Sequence, residues 1–193
     1  MTWLIIVLVV AMIVGPVMYL VPSAKDKRLT ALRAAARQAG LTVQLTNVAK
    51  LDPADSERVS AGGMHRQPTV ACTAYQLPVT RRLVGFESLM LIKMPPHPTV
   101  TTTEVLDGWS LDANTSRQAW TGYAANPENA SLLATAIAEL PGDALAVGLD
   151  KRFVACFWLE KADPQGEAVA NILGILVELR DDLYSRFTQA RDE

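Results

Sequence analysis

The sequence predicts an α+β fold, a small domain with a mainly antiparallel sheet covered by helices, behind one N-terminal transmembrane helix. Three observations lead there. An uncharged apolar run, Trp3 to Val21, opens the chain. Several β-prone segments follow, the first of them alternating with period two, and then two segments whose apolar residues recur every three or four positions. Strand and helix signals do not alternate throughout, which argues against a parallel βαβ sheet.

The opening run covers 19 residues, and a helix of that length spans about 29 Å, close to the hydrocarbon thickness of a bilayer. Trp3 and Tyr19 lie near its two ends, where amphipathic rings favour the interfaces. Gly15-Pro16 inside it predicts a kink, beside which a small residue allows another helix to approach. A cleaved signal peptide is the rival reading. It normally opens with basic residues and has an apolar core of about 7–15 residues, whereas nothing charged but the α-amino group precedes Trp3. A retained anchor is therefore expected.

Charge sets the expected orientation. The chain has 18 Lys and Arg against 20 Asp and Glu. Residues 1–40 carry Lys25, Lys27, Arg28, Arg33 and Arg37 against Asp26 alone, which leaves 13 basic and 19 acidic side chains beyond them. Basic residues behind the span, near lipid headgroups, place the following domain in the cytoplasm and the N-terminus outside. The expected layout is a transmembrane anchor over 1–23, a basic stalk helix over 24–40 and a cytoplasmic α+β domain over 41–193, in a bacterial inner membrane. The acidic balance of the domain argues against nucleic acid as a partner.

The elements follow in order. Lys25 to Ala39 reads as a helix, stopped by Gly40. Leu41 to Val48 alternates with period two, as a half-buried strand does. Thr69 to Leu77 is a second strand, and a third lies within Leu83 to Met94, behind the basic turn Arg81-Arg82. Pro95-Pro96-His97-Pro98 is an extended connector. Thr99 to Leu106 is β-prone, and Gly108 to Leu111 extends the sheet. Asn126-Pro127-Glu128 starts a helix with a capping residue, a proline at the first helical position and an acid in the first turn. Pro141-Gly142 stops it. Leu145–Leu149 and Arg152–Leu159 form a hairpin about Asp150-Lys151. Asp163-Pro164 opens the last helix, whose stripe Val169, Ile172, Leu176, Leu179, Leu183 and Phe187 is expected to pack on the chain's own sheet.

Candidate chemistry is sparse. The two histidines, His65 and His97, have no ligand-spaced partners, and zinc-type spacings are missing, so no metal and no cofactor are expected. Cys72 and Cys156 lie in apolar, strand-like runs and read as small buried hydrophobes rather than a disulfide or metal pair. Nucleophile elbows and phosphate loops do not occur. Gly62-Gly63 with Met64, His65 and Arg66 reads as a hairpin tip, and otherwise as a ligand-touching loop. Asp181-Asp182 reads as solvated, and Trp109, Trp120 and Tyr123 as core filling rather than a pocket lining.

Two sets of residues carry a resemblance. Met1-Thr2-Trp3-Leu4-Ile5-Ile6, Gly15-Pro16-Val17-Met18 and Lys25-Asp26-Lys27-Arg28-Leu29 make the chain similar to uncharacterised single-pass inner-membrane proteins of gram-negative bacteria. Some of these are labelled YajC-like translocase accessory proteins. The glycine-rich core pattern of the YajC family is missing, with Gly62-Gly63 its nearest counterpart. Trp120-x-x-Tyr123, Asn126-Pro127-Glu128 and the hairpin after them resemble membrane-tethered domains of unknown function.

The expected function is a non-catalytic, membrane-anchored accessory or scaffolding protein, with the lipid bilayer and a membrane protein as partners. The alternative is a membrane-tethered ligand-binding or sensory module, with the aromatic residues and the Gly62–Gln67 loop as its pocket. An enzyme would need a deep cleft gathering acids with His65 or His97.

Overall fold

The computed structural model describes residues 2, 3, 5–7, 12, 23–95, 104–161 and 167–188. The chain forms two compact units, Met1–Ala34 and Ala35–Glu193. The boundary falls within helix α1 (Ala24–Gln38).

In the first unit, Ser23 caps α1 reciprocally with Asp26. Its Oγ donates to Asp26 Oδ2 (2.7 Å) and accepts from the Asp26 backbone N–H (3.2 Å). Lys25 and Lys27 are exposed on this helix and Arg28 and Arg33 half-buried, while Arg37, across the boundary, is exposed. Gly40 ends the helix at φ 91°, and the Leu41 N–H reaches back to Ala36 O (3.0 Å), the closure that a left-handed glycine permits.

The expected transmembrane helix is overturned. No helix among the described residues is long and apolar enough to cross a membrane. Of the residues singled out in the opening run, Trp3 is 79% exposed, and Gly15, Pro16 and Tyr19 lie outside the described residues. An apolar composition supplies a length. A span requires one continuous helix of about 20 apolar residues, and most of the run from Trp3 to Val21 lies outside the described residues. The 20-residue helix Ala168–Phe187 has the length, but it carries Glu178, Arg180, Asp181, Asp182 and Arg186. The single-pass inner-membrane localisation and the cytoplasmic orientation read from Lys25, Lys27, Arg28, Arg33 and Arg37 are withdrawn with the span, since flanking charge orients only a segment that crosses.

The second unit is α+β with an antiparallel sheet, as expected. Its strands are β1 (Thr42–Ala49), β2 (Thr69–Pro78), β3 (Leu89–Lys93), β4 (Glu104–Leu106), β5 (Trp109–Leu111), β6 (Ala144–Leu149) and β7 (Phe153–Trp158). They form a seven-stranded sheet in the order β1-β2-β7-β6-β3-β5-β4, every neighbouring pair antiparallel. The β6–β7 hairpin closes although Asp-Lys is a poor turn pair, because the Asp150 carboxylate accepts from Arg152 N–H (2.9 Å) and from Ser88 Oγ (2.7 Å).

The helices are α2 (Arg117–Ala124), α3 (Pro127–Ala138) and α4 (Ala168–Phe187). Asn126 caps α3 through Glu128 N–H (3.1 Å), with Pro127 in the first turn. The residues expected to open α4, Asp163 and Pro164, lie outside the described residues, as does His97. Helix α2 is missing from the sequence reading. It is short, and its cap, Ser116 accepting from Ala119 N–H (2.9 Å), follows a run of turn-forming residues. The α4 stripe packs on β7 and β2, with α3 alongside. Val169, Ile172, Ile175, Leu176, Leu179 and Leu183 are buried there, against a sheet face that includes Tyr75, Leu77, Val154 and Trp158. Each such side chain contributes roughly 1.5–3 kcal/mol when fully buried.

Candidate binding face

Strand residues alternate between faces, so the register assigns a second set of side chains to the other side of the sheet. There Val48, Cys72, Ile92 and Ala146 form a buried apolar cluster, with Leu51, Met90, Leu145, Phe157 and Leu159 packed against it and partly exposed. Gly148 belongs to this face. A Cβ built on it would stand 3.3 Å from the Phe157 ring, so the glycine makes room for the ring to lie over β6. A bulge in β6 opposite β7, between Ala144 and Ala146, introduces Leu145 as an extra residue.

A cavity of about 290 Å³ opens at one end of this face. Its apolar lining includes Val48, Leu51, Val70, Ile92, Met94 and Leu145, and Lys50, Asp52 and Lys93 also contribute, the last donating to Gly142 O at 2.7 Å. The Lys50 ammonium is neutralised by Glu57 at 2.6 Å, and Glu57 also accepts from the Ala54 N–H. These two bonds, the lysine's first, hold its carboxyl below the usual carboxylate range. The site therefore offers dispersion and apolar contact.

The aromatic residues, expected as core filling and, in the alternative function, as a pocket, do not form one group. Trp120 and Tyr123 do meet, at 6.3 Å between ring centroids, but their neighbours are Phe86 (6.5 Å from Tyr123) and, beyond it, Phe187 (5.1 Å from Phe86). Trp109 is buried in β5. A hollow of about 200 Å³ lies beside Phe86, Gln118, Tyr123 and Phe187. Burial raises the Tyr123 phenol well above its ordinary value, and the Asp182 charge adds to this. The Gly62–Gln67 loop lines neither cavity. It is a hairpin tip, with Val59 bridged to His65, Gly63 at φ 77° and Met64 74% exposed.

Other candidate groups are structural. Both cysteines are free and buried. They occupy opposite faces, because Cys156 is paired with Tyr75 while Cys72 sits three residues earlier on β2. Burial pushes the Cys72 thiol up and the Cys156 thiol to about 12, Asp143 adding to the latter. Asp182 is not solvated as expected. Its side chain is 8% exposed and bonds Arg186 (2.5 Å), which also reaches Glu128 on α3 (3.5 Å). The basic turn leads into a stack in which the Arg81 guanidinium lies 5.0 Å from the Tyr184 ring. Glu160, which the sequence did not single out, is 4% exposed, takes φ 58° just beyond β7 and accepts from Tyr75 Oη at 2.7 Å. Among the described residues, no group of three or more His, Cys, Asp or Glu could hold a metal ion.

No protein-family model matches the chain, and no curated protein sequence matches it. Among solved structures it is similar to the mycobacterial trehalose monomycolate transport factor A, TtfA, at 12% identity and a TM-score of 0.39, covering 83% of this chain and 96% of that one. At that level neither the fold nor the role of TtfA carries over.

Proposed function

We propose that the Ala35–Glu193 unit is a non-catalytic binding module that takes an uncharged apolar group into the cavity beside Val48, Ile92 and Leu145. The cavity carries this reading. Most of its lining is apolar, the two lysines on its wall already donate to Glu57 and to Gly142 O, and it adjoins a partly exposed apolar cluster. A charged ligand would give up hydration in a mostly apolar cavity and would have to displace Glu57 from Lys50 or Gly142 O from Lys93. The helix-side hollow supports the reading less well, because it is smaller and Gln118 and Glu87 contribute to its wall.

The test is a fluorescence titration of the full chain with N-phenyl-1-naphthylamine, an uncharged apolar probe. Saturable binding is expected. Leu145→Lys should weaken it at least about tenfold, because the new ammonium would have to be desolvated or would hold water in the cavity. Far-UV circular dichroism of the variant should match the parent. Equal affinity in parent and variant would defeat the proposal.

A further inference from the structure

The two edges of the sheet are built differently. At one end, β4 has three residues and begins with the exposed Glu104. That charge discourages pairing with another strand. At the other end, β1 has eight residues, Thr-Val-Gln-Leu-Thr-Asn-Val-Ala, with no charge, proline or glycine. It pairs with β2 in unbroken register from Thr42↔Gln76 to Ala49↔Thr69, so no bulge turns the edge away. None of the usual devices that protect an edge strand is present in it.

The direction of its free groups follows from the ladder. Lys50 N–H donates to Pro68 O (2.9 Å), continuing the β1–β2 register. Hydrogen-bonded and non-bonded pairs alternate along an antiparallel ladder. The even-numbered residues of β1 therefore bond β2, and Val43, Leu45 and Asn47 direct N–H and C=O outward. Leu45 is 74% exposed, in the middle of a strand whose other residues include the buried Val48.

We infer that a second copy of this chain pairs with β1, antiparallel, about a two-fold axis through Leu45. Residues directly opposite across such a ladder must share a face. A two-fold perpendicular to the sheet meets that condition when Leu45 faces Leu45 of the second copy, Val43 faces Asn47, and Gln44 faces Thr46. The pairing makes about six backbone hydrogen bonds from groups that no described strand takes up. It also covers the Leu45 side chain with its own equivalent. A copy is favoured over a charged partner because the strand carries no charge to complement, and like-charge repulsion, which normally opposes self-pairing, is absent.

The experiment is sedimentation of the full chain and of two variants, Leu45→Lys and Leu45→Glu, alone and mixed. The parent is expected at the mass of two chains. Each variant alone sets two like charges together at the axis and should dissociate at concentrations about a hundredfold higher. An equimolar mixture should return to the two-chain mass, because Lys then faces Glu. Circular dichroism spectra should be unchanged, since Leu45 lies on the surface. A parent at the single-chain mass, a variant still at the two-chain mass, or a mixture that stays at the single-chain mass would each overturn the proposal.

Discussion

Single residues in this protein act through the polarity of their surroundings. Cys156 has its folded value raised to about 12 from 9.0, mainly by burial. Above the ordinary thiol range the unfolded chain loses this proton while the folded chain keeps it, so unfolding is favoured as pH rises from about 9 towards 12. The urea midpoint of the parent should therefore fall across that window by more than that of Cys156→Ala, compared at each pH; parallel curves would refute the assignment. Tyr75 Oη and Glu160 form a buried bond spanning 85 positions of sequence. Tyr75→Phe withdraws a donor from a buried carboxylate and should cost about 1–3 kcal/mol in chemical denaturation. A loss below about 0.5 kcal/mol would mean that Glu160 does not depend on that donor.

At the scale of elements, α4 shows how a stripe and a surface divide their work. Leu176 is fully buried, and Leu176→Ala should cost about 2–5 kcal/mol, read from urea denaturation. Gly174, two residues earlier, is exposed, and a Cβ built on it meets nothing within 4 Å. Gly174→Ala should stabilise by about 0.5–1 kcal/mol, since the helix gains propensity without a clash. Failure to stabilise would show a contact at that surface. In β6 the opposite holds. Gly148→Val should drive the Phe157 ring from its place, because the nearest carbon is already at 3.3 Å. Probe affinity for the neighbouring cavity and thermal stability should then fall together.

At the scale of the whole molecule, the sheet joins distant parts of the chain. Thr73 pairs with Trp158, and Leu91 with both Leu111 and Val147. Contacts of such separation form late and together, so the Ala35–Glu193 unit should unfold as one transition. Tryptophan fluorescence and far-UV circular dichroism should give coincident urea curves. A binding partner for the cavity raises that transition by mass action, about 2.7 kcal/mol at a hundredfold excess over its Kd. The proposed two-chain assembly would make the midpoint depend on protein concentration, an effect that Leu45→Lys should remove.

The sequence by itself determined what depends on near neighbours in the chain. The Gly40 stop, the Asn126-Pro127 start and the α4 stripe all act over a few residues, and each appears where it was expected, whereas β1 is a strand whose apolar phase is not its buried one, since Leu45 is 74% exposed and Val48 is buried on the other face. The burial of Cys72 and Cys156 was legible for the same reason, since their flanks are apolar. Helix α2 was not, because its short length leaves too few turns for a period to emerge. Tertiary structure alone decided the rest: the strand order, the exposed edge at β1, the meeting of Phe86, Tyr123 and Phe187, and the cavity beside Leu145. It also decided that Asp182 is enclosed and that no described helix is a membrane span. These features follow from which distant segments pair, and the free energy of that pairing is shared among residues that local patterns do not connect.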